Sequence, residues 1–143
     1  LLVIVTVSDL VYMIIPDKIL LCFFVLFIIL DLYIGEMLWV ESIVGGIIGF
    51  GMLLFMAFVS NGGMGGGDIK LFGLLGFVLG TKNIILTFFF SVLLGGVVGI
   101  VFLLLGIFKK KQAIPFGPFI SIGALLSYYF GEQIVNWYFG VIL

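Results

Sequence analysis

Asn61-Gly62-Gly63-Met64-Gly65-Gly66-Gly67-Asp68-Ile69-Lys70-Leu71-Phe72-Gly73 separates two long apolar runs and places a carboxylate and an ammonium at the start of the second. Five of the seven residues from 61 to 67 are glycine. Without a β-carbon they favour turns over helix and let another backbone come close, so the run predicts an interruption between two helices. The flanking sequence decides the fold class. Of 143 residues, 64% are hydrophobic and 9% charged, with a mean hydropathy of +1.51, whereas soluble domains carry roughly a quarter charged residues. No soluble fold hides that much apolar surface. The chain reads as an all-α polytopic membrane protein, one membrane-embedded domain over residues 1–143.

Working outward, the apolar runs predict about six transmembrane or partly spanning helices with short loops, near 1–15, 19–35, 38–60, 69–80, 84–108 and 116–131, followed by a short tail. Pro16-Asp17-Lys18 is expected to stop the first, Gly35-Glu36 the second, 61–67 the third, Gly80-Thr81-Lys82-Asn83 the fourth and 109–115 the fifth. The fourth is short: twelve residues rise ~18 Å against a hydrocarbon core of ~30 Å. Interrupted backbone at membrane depth is tolerated only beside protein or a water-filled cavity, so the start of this helix is expected to line one. If the segments alternate across the bilayer, Lys18, Lys70 and Lys109-Lys110-Lys111 share one side, and Glu36, Glu41, Lys82 and Glu132 the other. Lysine placement makes the first side cytoplasmic, with the lysine run as a topology and headgroup anchor. Trp137 and Tyr138 in the tail read as an interfacial anchor.

Composition also excludes functions. There is no Arg and no His, so neither the basic patch of a nucleic-acid binder nor an ordinary zinc site can be assembled. Cys22 is the single cysteine, which rules out an internal disulfide and reads as a lipid- or helix-facing small hydrophobe. Only eight residues precede Asp9, fewer than the ~20 of a full span, so further residues are expected upstream. They are not expected to form a signal peptide with Leu1 to Val7, which lacks a basic flank and a small-residue cleavage site.

Ionisable groups within apolar segments are expensive, and three invite explanation. Asp31, beside Tyr33 and Glu36 near a helix end, is expected to reach water at the interface. Asp9 lies about two turns before Pro16, and Asp68 follows Gly65-Gly66-Gly67 directly. Separately, Asp9 reads as a boundary carboxylate and Asp68 as a helix cap. Together, the alternating topology brings them to the same depth on the same side. Two close carboxylates in a low-dielectric pocket cannot both ionise cheaply, so one keeps its proton. That state suits peptide hydrolysis: the charged member takes a proton from attacking water, and the neutral one polarises the carbonyl or protonates the leaving nitrogen. The helix start makes Asp68 the expected charged partner. The glycines offer a surface for a substrate strand, or else a hinge or close helix packing. A phosphate loop is not supported, since no Lys-Ser/Thr follows the run and no strand precedes it.

These residues resemble a known family. Gly65-Gly66-Gly67-Asp68-Ile69-Lys70-Leu71 resembles the G-x-G-D motif of type IV prepilin peptidases, and Asp9 with Ile15-Pro16-Asp17 resembles their first aspartate region. Pro115-Phe116-Gly117-Pro118-Phe119 resembles the entry to their final helix, and the whole is most similar to the competence-type peptidases of Gram-positive bacteria. The resemblance implies that Asp9 and Asp68 are catalytic and that prepilin-like precursors with a basic leader are the substrates. It further implies a multi-pass protein of the bacterial cell membrane with the aspartates near the cytoplasmic face. Gly65, Gly66, Gly67 and Lys70 are candidates for shaping the site, Lys70 by tuning the pair or by anchoring at the headgroups. The resemblance also implies that the peptidase activity needs no cofactor. Bifunctional members carry paired Cys-x-x-Cys motifs linked to zinc and N-methylation; these are absent here, so S-adenosylmethionine and zinc enter only with a missing N-terminal region. Presenilin-like proteases share G-x-G-D but pair it with Tyr-Asp and Pro-Ala-Leu, where this chain has Ser8-Asp9 and Pro115-Phe116. The non-enzymatic alternative is a transporter or channel subunit in which Asp9 and Asp68 bind ions.

Overall fold

The computed structural model describes residues 1–34, 39–61, 63–106 and 115–142. Five helices account for nearly all of them: α1 Leu2–Tyr12, α2 Asp17–Ile34, α3 Trp39–Val59, α4 Gly66–Leu104 and α5 Gly117–Ile142. Glu36, the lysine run 109–111, the expected break at 35–36 and most of that at 109–115 lie outside the described residues. Two helices, α3 and α4, are each long and apolar enough to cross a membrane. At 11 residues, α1 rises only ~16 Å, about half of a hydrocarbon core. Large apolar side chains such as Val3, Phe58 and Leu104 face outward, as expected where lipid is the solvent.

In lipid, apolar side chains gain nothing from leaving one hydrocarbon for another, so helices associate by close packing and polar contacts. On α3, Ser42, Gly45, Gly49 and Leu53 form the buried stripe. A β-carbon at Gly45 would strike the carbonyl oxygen of Gly76 on α4, and one at Gly49 would lie 2.6 Å from the carbonyl oxygen of Phe72. The two backbones therefore touch directly. The second half of α4 packs on α5 through Asn83, Thr87 and Ser91, α1 packs on α5, and α2 leans on α4. Val5, Leu53, Leu71, Phe72, Ile84 and Ile120 are fully enclosed at the centre.

The break expected at 80–83 is present: α4 is two helical halves folded on one another at Gly80, and the rings of Phe72 and Phe88, which would stand ~24 Å apart along one straight helix, lie 6.2 Å apart. Gly80 adopts φ 76°, ψ 175°, and α4 continues on both sides of it. A bend releases backbone carbonyls from the helical ladder. Asn83 Nδ2 donates to the carbonyl of Leu79 at 3.3 Å, while the Asn83 carbonyl accepts hydroxyls from Thr87 at 2.7 Å and from Ser127 of α5 at 2.6 Å. With those groups satisfied, Thr81-Lys82-Asn83 needs no loop and opens the second half of α4, so the expected segments 69–80 and 84–108 correspond to the two halves on either side of Gly80. The expected tail after 131 is likewise helical, because α5 runs on to Ile142 through Trp137 and Tyr138.

The glycine contact between α3 and α4 yields a controlled test. Gly45→Ala forces a methyl against backbone and is expected to destabilise by about 1–3 kcal/mol, the usual range for overpacking. Gly51→Ala, with nothing within 4 Å of its added carbon, should leave thermal unfolding in detergent unchanged or slightly improved. Equal melting temperatures for the two variants would show that backbone contact does not hold this pair.

Candidate active site

Three chain turns meet at one end of the bundle. The first is the end of α1, which stops at Tyr12 rather than running to Ile15, because Met13 turns left-handed (φ 51°) and its N–H bonds to the Asp9 carbonyl. Pro16 disfavours helical backbone at Ile15, and Ser8 Oγ donates to the Ile14 carbonyl at 2.7 Å, folding 13–16 back beneath α1. Asp9 thus sits in the last full turn and is only 5% exposed.

The second turn is the glycine run. Asn61, in the left-handed region (φ 52°), follows α3, and Gly65 is the N-cap of α4. Asp68 is therefore the third helical residue and not the cap. Its carboxylate faces the Gly65 amide, as a third-position acid does in a capping box. Its Oδ1 is buried with no hydrogen-bond partner among the described residues, and the residue is 7% exposed. Gly67 packs on Ile15, where a β-carbon would come within 2.9 Å of the Ile15 Cβ. That contact closes the 13–16 turn onto the start of α4.

The third turn is the entry to α5, and it supplies a site residue not singled out from the sequence. The Gly117 N–H donates to Asp9 Oδ2 at 2.7 Å. As the first residue of α5, Gly117 presents an amide that the helix itself leaves unpaired, at the positive end of the helix dipole. A β-carbon here would lie 2.7 Å from the same Oδ2, so only glycine delivers the amide without displacing the carboxylate. Pro118, one residue further, lacks an N–H that the first turn does not use. The Pro115-Phe116-Gly117-Pro118 sequence was the visible signal; its partner Asp9, 108 positions away, was not.

Asp9 and Asp68 face each other across two adjoining clefts and lie close enough for like-charge repulsion. One cleft, about 170 Å³, is bounded by Met13, Ile14, Ile15 and Gly65 to Gly67. The other, about 120 Å³, is bounded by Met64, Pro115 and Phe116 among others. Gly66 has nothing within 4 Å of an added β-carbon, so it leaves open backbone at the rim. Lys70 lies elsewhere: its Nζ is 2.6 Å from Asp17 Oδ2, in an exposed pair that ties the start of α2 to the start of α4. A zinc ion does not fit these residues. Without His, and with only the exposed Cys22, no nitrogen–sulfur set exists, and no three acidic or thiol groups converge among the described residues.

Comparison with known proteins gives a consistent result. The model of the type IV leader peptidase family matches residues 1–100. A prepilin leader peptidase/N-methyltransferase of Bacillus subtilis is 42% identical over 139 residues, covering 96% of this chain and 56% of that protein. Proteins of the same description from Aeromonas salmonicida and Legionella pneumophila are 32% and 38% identical, covering 99% and 54% of this chain and 50% and 27% of their own lengths. The chain spans about half the length of the Bacillus and Aeromonas relatives. No solved structure matches.

The Asp17–Lys70 pair is solvent-accessible, with side chains 66% and 54% exposed, which limits its strength to roughly 0–1 kcal/mol. Asp17→Asn and Lys70→Met are each expected to lower the melting temperature by no more than a few degrees. The reversed pair Asp17→Lys with Lys70→Asp should recover the loss, as a double-mutant cycle in detergent would measure.

Proposed function

From the premise that the chain belongs to the type IV leader peptidase family, we propose that it is an aspartic endopeptidase of the membrane that cleaves the leader from prepilin-like precursors. The observation carrying this reading is the pairing of Asp9 and Asp68 across two adjoining clefts of about 170 and 120 Å³, assembled from three separate turns of the chain.

The hydrogen bonding divides their roles. Asp9 receives an amide from Gly117 at the positive end of α5 and acts as the base that takes a proton from water. Asp68 has one oxygen without a donor, a situation that a neutral carboxyl tolerates better than a carboxylate, and it acts as the acid. This reverses the assignment expected from the helix start alone. Water attacks the scissile carbonyl carbon, its proton passes to Asp9, and Asp68 donates to the leaving nitrogen as the C–N bond breaks. The products are a carboxylate on the leader and an amine on the mature chain. Gly65 and Gly66 offer exposed backbone along which a substrate strand can lie.

Several features support a multi-pass arrangement with this site near the cytoplasmic face. Lys18 and Lys70 stand at the starts of α2 and α4, at the same end as the aspartates, where a basic leader would stay in water while its apolar helix remains in lipid. No residue here is assigned to methyl transfer, the second activity in the relatives' names, so S-adenosylmethionine and zinc form no part of the proposed reaction. A transporter reading gains no support from relatives described as peptidases.

Asp9→Asn and Asp68→Asn should each reduce cleavage of a prepilin-like reporter by about 10²–10⁴-fold, the range of general acid–base catalysis, with membrane insertion and melting temperature retained. Normal cleavage by either variant would exclude the pair as catalytic.

Gly117→Ala should lower kcat far more than it raises KM, by up to about 10²-fold, because the methyl displaces Asp9 by a fraction of an ångström. An unchanged kcat in a folded Gly117→Ala protein would remove Gly117 from the site.

A further inference from the structure

At the far end of α2, two oxygens that the candidate active site does not use face a single cavity. Asp31 Oδ2 and Ser42 Oγ are both buried without a hydrogen-bond partner among the described residues. Both residues line a space of about 280 Å³ closed by Phe27, Leu30 and Ile34 of α2 and Phe77 and Val78 of α4. Asp31 does not simply reach water, as its position near a helix end suggests: one of its oxygens is turned inward. Ser42 is 1% exposed, and its hydroxyl takes no backbone carbonyl, the usual recourse of a serine within a helix. Asp17 carries the only ion pair among the described residues, with Lys70, so Lys82 does not neutralise Asp31.

The chemistry of the missing partner follows from these walls. A buried carboxylate oxygen beside a buried hydroxyl, which accepts as well as donates, calls for a cationic donor. A bare metal ion does not match, since hard cations take about six oxygens and the cavity offers two beside apolar carbon. Waters alone leave the charge unanswered in a space several times the ~30 Å³ of one water. A primary ammonium on an apolar body matches both features: its N–H groups reach Asp31 and Ser42, and its carbon lies on Phe27, Leu30 and Phe77.

Position and shape narrow the source. Tyr33 and Trp39, both exposed, flank the cavity at the end of α2 and the start of α3, and such aromatic residues mark the headgroup level of a bilayer. Through Phe77 the cavity adjoins a larger apolar groove of about 700 Å³ between α2 and the α3–α4 pair, lined by Leu21, Phe24, Ile47 and Leu74 among others. A charged end at headgroup depth followed by an apolar furrow along the helices is the outline of a phospholipid. We propose that Asp31 and Ser42 hold the ammonium of an aminoethyl phospholipid whose acyl chain lies in the α2–α3–α4 groove.

The test compares phosphatidylethanolamine with phosphatidylcholine, which carries the same charges but has no N–H to donate. Full-length protein is reconstituted in bilayers containing phosphatidylglycerol and equal amounts of both lipids, and lipids retained after extraction are counted by native mass spectrometry. The wild type should retain phosphatidylethanolamine over phosphatidylcholine by about tenfold. Asp31→Asn should bring the ratio near one, and Ser42→Ala should reduce it several-fold. Equal retention of the two lipids by the wild type overturns the site, as does an undiminished preference in Asp31→Asn. Should Asp31→Asn fail to fold, the wild-type ratio and the Ser42→Ala ratio decide alone. A preference that sodium chloride abolishes equally in wild type and Ser42→Ala also overturns it, since that outcome assigns the acceptors to a metal cation.

Discussion

Where Gly45 of α3 meets Gly76 of α4, two helix backbones touch without side chains between them. A chain surrounded by hydrocarbon has little hydrophobic force to press its helices together, so contact at this range supplies the dispersion that holds them. The first half of α4 becomes the hub through this contact, with α3 on one side and α2 leaning against it, while α5 meets the second half at Asn83, Thr87 and Ser91. Phe72 and Leu71 are sealed at its centre. Because the hub is fixed, its N-terminus is fixed as well, and Asp68 stands in the first turn of that terminus.

The candidate site then follows from what must happen at helix ends. Each end leaves backbone groups that apolar surroundings cannot satisfy. Here the carboxylates themselves stand at two such ends: Asp9 accepts from the Gly117 amide, and Asp68 Oδ2 lies beside Gly65. Structural need and chemical use coincide. The aspartates complete the ends of α5 and α4, and in doing so face one another across a cleft bounded by glycine. The Gly67–Ile15 contact and the Asp17–Lys70 pair hold the intervening turn against α4.

The same rule governs the bend at Gly80. Its freed carbonyls are taken up by Asn83, and the Asn83 carbonyl by Thr87 and Ser127, so a polar cluster sits between α4 and α5 with Gly123 and Gly131 packed close beside it. Among the described residues three buried side-chain oxygens are left unanswered by the chain: Asp68 Oδ1 in the candidate active site, and Asp31 Oδ2 and Ser42 Oγ outside it. Their distance from the proposed chemistry is what singles the last two out.

Much of this was legible in the residues alone. Apolar content set the helical membrane class, Pro16 and the glycine run marked two true interruptions, and Gly65-Gly66-Gly67-Asp68 with Asp9 pointed to the family. These are local properties, written in composition and short spacing. Tertiary structure decided the rest. Gly80 reads as a helix stop and does end the first half of α4, but no loop follows, because Thr87, Ser127 and Asn83 satisfy the groups exposed there and the second half folds back until Phe88 meets Phe72. Lys70 reads as a neighbour of Asp68, yet two residues along a helix turn it away, towards Asp17. Gly117 reads as a turn glycine, and its role depends on a carboxylate brought to it from the other end of the chain. Sequence specifies where a helix can form or end; which groups then meet is a matter of packing between segments distant in the chain, and that is fixed only when the backbones close on one another.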